Sequence, residues 1–89
     1  MAEVMLVVNS KVGLHARPAA LFVQTASKFK SAITVWNGEK RANAKSMLNL
    51  LTLGVLSGTA IRVTAEGEDA EQALAALVEL NATNFGEPA

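Results

Sequence analysis

The chain has 89 residues, 51% of them hydrophobic but only 4% aromatic, and its eight basic and eight acidic side chains balance to a formal charge of zero. That length suits one small domain spanning 1–89, with a core built from Val, Leu, Ile, Ala and Met. The charge balance argues against broad electrostatic capture of nucleic acid or an anionic membrane, and the lack of cysteine excludes disulfides and thiolate metal sites.

With a single histidine and no His/Asp/Glu cluster, no metal site and no cofactor is expected. The start of the chain is acidic at Glu3 and has no basic n-region. The longest apolar run, over residues 50–56, is too short to span a bilayer. A cytoplasmic monomer without membrane insertion is the expectation.

Residues 3–9 put Val4, Leu6 and Val8 on one face of a strand. Met5 and Val7 make the opposite face unusually apolar, which predicts a strand away from the solvated edge of the sheet. A helix over residues 16–28 follows, with Ala19, Phe22, Val23 and Ala26 as its buried stripe and Lys28 and Lys30 suiting its C-terminal end. Residues 32–36 form a second strand through Ile33 and Val35. Asn37-Gly38 favours a type I′ hairpin turn, and the polar segment 39–43 returns as a charge-protected edge strand.

Ser46 can cap a short helix running to Leu53 and closed by Gly54. Ile61, Val63 and Ala65 then alternate with Arg62, Thr64 and Glu66 in a half-buried strand ended by Gly67. Asp69 and Gln72 have capping-box spacing, ahead of a final helix with the stripe Ala70, Ala73, Leu74, Leu77 and Leu80. The tail over residues 84–89, with Gly86 and Pro88, is expected to fray. The order βαββαβα predicts an α+β fold with three helices covering one face of a small sheet and solvent on the other.

The chemistry concentrates around the one histidine, His15. It lies in Gly13-Leu14-His15-Ala16-Arg17-Pro18-Ala19-Ala20, where a glycine-containing turn runs into a helix. Pro18 has its φ preset for the first helical turn and no N–H to leave unpaired, and the alanines after it are the best helix formers. A helix starting at Ala16 leaves its first N–H groups without carbonyl partners, which together with the helix dipole favours phosphate or carboxylate.

Arg17 adds a permanent cation whose planar donor fork matches phosphate oxygens. Neutral imidazole is a competent nucleophile near neutral pH. Taken singly, His15 reads as a turn residue and Arg17 as surface charge; their combination with Pro18 at these spacings is what points to phosphate chemistry.

The segment from Gly13 to Ala19, together with Lys45-Ser46 and Leu50-Leu51-Thr52-Leu53-Gly54-Val55, resembles the histidine-containing phosphocarrier protein (HPr) family of the bacterial sugar phosphotransferase system. The resemblance covers nearly the whole chain. It implies an open-faced βαββαβα sandwich with a four-stranded antiparallel sheet. It also implies that His15 takes a phosphoryl group from phosphorylated enzyme I through Nδ1 and passes it to a sugar-specific permease component. In that role the chain is a phosphorylated intermediate and not a stand-alone enzyme. Ala16, through its backbone N–H, and Arg17, through its guanidinium, would support the phosphate.

Met47, Leu48 and Leu51 share one face of the short helix, while Leu50 and Leu53 fall on another and are assigned to the core. The resemblance turns the trio into an apolar docking patch near His15 for enzyme I and the permease component, with Leu14 and Ala20 as rim contacts. Phe22, Phe29 and Trp36 are assigned to packing.

By the same resemblance Ser46, beyond its role as a cap, becomes a regulatory phosphorylation site for HPr kinase/phosphorylase. Asn49 stands where the family commonly has glycine three residues on. Two other readings remain: a mainly regulatory binding protein that acts through Ser46 on a transcription regulator, and a carrier of the nitrogen-related branch. The Ser46-Met47-Leu48 segment favours the sugar branch over the latter.

Overall fold

The computed structural model describes residues 2–8 and 16–83. Its elements are β1 (Ala2–Val7), α1 (Ala16–Ala26), β2 (Ala32–Asn37), β3 (Lys40–Asn43), α2 (Met47–Thr52), β4 (Ala60–Glu66) and α3 (Ala70–Ala82). This is the expected βαββαβα order. The four strands form one antiparallel sheet in the order β1-β4-β2-β3. The tail over 84–89 lies outside the described residues.

The period-two pattern of the strands decides which face meets the helices. Leu6, Ile33, Val35, Ala42, Ile61, Val63 and Ala65 point inward and are buried, against Ala19, Phe22 and Ala26 of α1, Leu50 of α2, and Ala73, Leu74 and Leu77 of α3. Phe22, Leu50, Ile61 and Leu77 are the largest side chains fully enclosed among the described residues. Each contributes roughly 1.5–3 kcal/mol by removing apolar area from water. α1 packs on both α2 and α3, α3 also covers β1 and β4, and α2 covers β3.

Three local expectations are corrected. β1 is an edge strand, not an interior one, and Met5 and Val7 are 60% and 54% exposed on the open face. Alternation reports which face a residue shares, not where in the sheet its strand sits, so the apolar character of Met5 and Val7 does not place β1 inside the sheet. The hairpin register pairs Asn37 with Lys40, so its two loop residues are Gly38 and Glu39, one position later than the Asn-Gly signal. Gly38, at φ 64°, takes the first loop position, where both primed turn types need positive φ.

The third correction concerns α3. Asp69 sits at its N-cap without a side-chain capping bond. Its carboxylate instead accepts from the backbone N–H groups of Lys30 (2.8 Å) and Ser31 (2.9 Å) and from the Ser31 hydroxyl, tying the start of α3 to the entry of β2. These donors hold its pKa below the ordinary 3.8, the Ser31 hydroxyl contributing most and Lys30 N–H next.

Gly67 makes that approach possible. It has φ 148°, and a Cβ there would lie 2.5 Å from Ser31 Oγ and 2.8 Å from Ser31 Cα.

The open face is not uniformly solvated. Met5, Arg62, Trp36 and Arg41 form a row across all four strands by register. The Trp36 indole donates from Nε1 to Thr64 Oγ1 (3.2 Å), and the Arg62 and Arg41 guanidinium carbons lie 4.7 and 5.8 Å from the Trp36 ring centroid. Trp36 therefore packs on the outer face and not in the core. It explains why Thr64, read as solvent-facing, is buried.

Candidate functional site

Helix α1 begins at Ala16, as Pro18 and the alanines require, and Pro18 and Ala19 are buried while Ala16 and Arg17 are exposed. The core therefore holds the helix by one face and leaves Ala16 and Arg17 at its start exposed to solvent. Arg17 has no ion-pair partner among the described residues. Arg17, exposed in a first turn whose backbone N–H groups have no intrahelical acceptors, suits a multiply charged oxyanion. His15 and Leu14, immediately before this turn, lie outside the described residues. Ala20, one turn on, is half-buried.

α2 is set by its ends. Ser46 has extended backbone geometry at the N-cap, its Oγ accepts from Asn49 N–H at 3.4 Å, and Leu50 N–H donates to Ser46 O at 3.1 Å. The side-chain bond is long, and Ser46 remains half-exposed. Leu53 follows as the C-cap and Gly54 takes positive φ, closing the helix where expected.

Leu50 and Leu53 are buried as assigned. Leu48 (72%) and Leu51 (39%) are exposed. Met47 departs from the expected trio: its long unbranched side chain is half-buried against the core, so the patch consists mainly of two leucines. Because α1 packs on α2, these leucines stand on the helix adjoining the one that carries Arg17.

Leu56 is a further exposed leucine, between α2 and β4. Helical periodicity misses it because it lies beyond the helix end. Among the described residues, no group of three or more metal-ligating His, Asp or Glu side chains occurs and no helix is long and apolar enough to cross a membrane.

A family model for the phosphotransferase-system HPr component phosphorylation site matches residues 2–83. The chain belongs to the HPr family. HPr is a phosphocarrier protein of the phosphotransferase system and not a stand-alone enzyme.

The phosphocarrier protein HPr of Mycoplasma capricolum is 44% identical over 77 residues, covering 86% of each chain, and that of Xylella fastidiosa is 45% identical over 87 residues, covering 98% of each. The multiphosphoryl transfer protein of Salmonella typhimurium is 46% identical over 86 residues, and this chain spans only 23% of its length. The HPr-like protein Crh of Halalkalibacterium halodurans is 45% identical over 78 residues, 88% of this chain and 93% of that one.

A crystal structure of HPr from Thermoanaerobacter tengcongensis superposes with a TM-score of 0.96 at 52% identity, covering 100% of both chains. A dimeric HPr structure from the same organism gives 0.79 at 53% identity, covering 98% of this chain and 100% of that one.

Proposed function

We propose that the chain accepts a phosphoryl group from phosphorylated enzyme I on His15 and passes it to a sugar-specific permease component in the cytoplasm. The observation that carries this reading is Arg17, exposed in the first turn of α1 without an ion-pair partner among the described residues, two residues after His15 in the sequence. In the first step the bond from phosphorus to the donor breaks as one to imidazole Nδ1 forms, and the bonding pair leaves with the donor. In the second, that N–P bond breaks as the acceptor's nucleophile attacks, and the pair returns to the imidazole.

The charge spread over the phosphoryl oxygens meets the Arg17 guanidinium and the first N–H groups of α1, including that of Ala16. Leu48, Leu51, Ala20 and part of Met47, with Leu14 as the sequence assigns it, supply the apolar docking surface for both partners. Bringing the reacting groups together in a protein complex is the main catalytic contribution, so the chain needs no enclosed substrate pocket.

Reconstitution with phosphoenolpyruvate, enzyme I and a permease component tests this directly. Sugar phosphorylation should depend on the chain and vanish with His15→Ala; sugar phosphorylation undiminished by that substitution would overturn the reading.

A second role at Ser46 is favoured by its half-exposed side chain, whose hydroxyl accepts one long bond among the described residues, and by the similarity to an HPr-like Crh protein. Phosphorylation there by an HPr kinase/phosphorylase would add negative charge next to Met47 and Leu48 and shift partner choice, toward a transcription regulator, without unfolding the domain. Label from ATP and the kinase that is lost in Ser46→Ala supports this role, and label that persists refutes it.

A further inference from the structure

A cleft of about 390 Å³ lies at the end of the β2–β3 ribbon, with Thr34, Arg41, Asn43, Lys45 and Asn49 as its polar lining. It exists because β3 stops at Asn43, opposite Thr34, while β2 begins two residues earlier at Ala32. The chain then turns under tight control: Ala44 N–H donates to Ile33 O (3.0 Å) and Lys45 N–H to Asn43 Oδ1 (2.9 Å).

What this turn leaves over is a set of donors. Lys45 Nζ is fixed 2.7 Å from Phe29 O, which uses one ammonium hydrogen and leaves two. Asn43 Oδ1 is occupied by Lys45 N–H, so its amide hydrogens remain. Arg41 makes no ion pair among the described residues, and its guanidinium is steadied beside the Trp36 ring. The Asn49 side-chain amide has no partner among the described residues. No carboxylate is among the residues lining the cleft. The closest in register is Glu66, paired across from Ala32 on β4.

We infer that this cleft binds a small organic anion, a phosphate ester or a polycarboxylate, between Arg41 and Lys45. The volume fits a compact metabolite, and two cations without a carboxylate among the lining select for more than one negative charge. None of its residues belongs to the His15 segment or the leucine patch, so the inference stands or falls separately from the phosphocarrier reading.

Titration of the ¹⁵N-labelled protein with pyrophosphate and with citrate, at matched ionic strength, tests it. Saturable shifts should centre on the amides of Thr34, Asn43, Lys45 and Asn49 and on the Asn43 and Asn49 side-chain NH₂ groups. The half-saturation concentration should rise about tenfold in Arg41→Gln and in Lys45→Gln, from loss of a charge-assisted hydrogen bond. It should stay unchanged in Lys40→Gln and fall about twofold in Glu66→Gln, where a repulsive charge is removed.

Arg41→Lys keeps the charge and should retain most of the binding, which separates loss of a ligand interaction from loss of fold. Tighter binding of pyrophosphate assigns phosphate groups as the recognised chemistry, and tighter binding of citrate assigns carboxylates. Non-saturating shifts, shifts confined to residues 16–20, or affinities unmoved by Arg41→Gln would overturn the inference.

Discussion

Gly67→Ala is a severe test of how α3 is joined to the sheet. The substituted Cβ would meet Ser31 Oγ at 2.5 Å, Ser31 Cα at 2.8 Å and Ser31 Cβ at 3.0 Å. Ordinary carbon–carbon separations are about 3.5–4.0 Å, so the β2 entry must move by roughly 1 Å, and part of what must move is backbone. The φ of 148° adds conformational strain of about 1–3 kcal/mol for a residue with a side chain. With the displaced packing the total is about 3 kcal/mol, corresponding to a fall in Tm of roughly 12–24 °C for a domain of this size.

Urea unfolding and calorimetry measure both quantities. In a Ser31→Gly background the same substitution should cost less, because Oγ and Cβ are gone, although the clash with the backbone of residue 31 persists. A loss below about 1 kcal/mol for Gly67→Ala, or an identical loss in both backgrounds, would refute the assignment of this close approach as the cause.

Asp69→Asn should flatten the acid limb of stability. A depressed folded-state pKa contributes stability that is present above 3.8 and is lost as pH falls through the lower folded value, so the variant's curve should approach the parent's in strong acid and lie below it toward neutrality. Denaturant unfolding across the acid range measures this. Ser46→Ala should cost only about 0.5 kcal/mol in urea unfolding, at the low end for a cap because its bond is 3.4 Å long, and should leave phosphoryl acceptance intact. Leu48→Glu should raise the KM of enzyme I for this chain while leaving Tm nearly unchanged, because that side chain is already 72% exposed; coupled transfer kinetics and calorimetry together decide it.

The element order was legible because each segment's apolar period matched its final environment: period two in β4, and helical stripes through Phe22 and Leu77. The short helix was legible from its ends, Ser46 and Gly54. What escaped were relations between distant segments. Asp69 looks like a cap next to Gln72, yet its strongest donors come from Ser31 and Lys30, 38 and 39 residues away.

Thr64 reads as solvent-facing until Trp36 of the neighbouring strand lies over it. Nothing in alternation alone assigns β1 to the sheet's edge. Within the candidate site, Arg17 and Leu48 stand exposed as expected. Met47 turns partly inward because a flexible thioether can reach the core from the first turn of α2, a choice that face-counting does not resolve.

The phosphocarrier reading depends on one imidazole carrying the phosphoryl group. The decisive measurement is to react the chain with phosphoenolpyruvate and enzyme I, establish the acid and base stability of the product, and map the modified residue by mass spectrometry under alkaline conditions. The expected product is an acid-labile, base-stable phosphoryl group on His15 that is absent from His15→Ala. A phosphoryl group that survives acid, or one that still forms in His15→Ala, would contradict it.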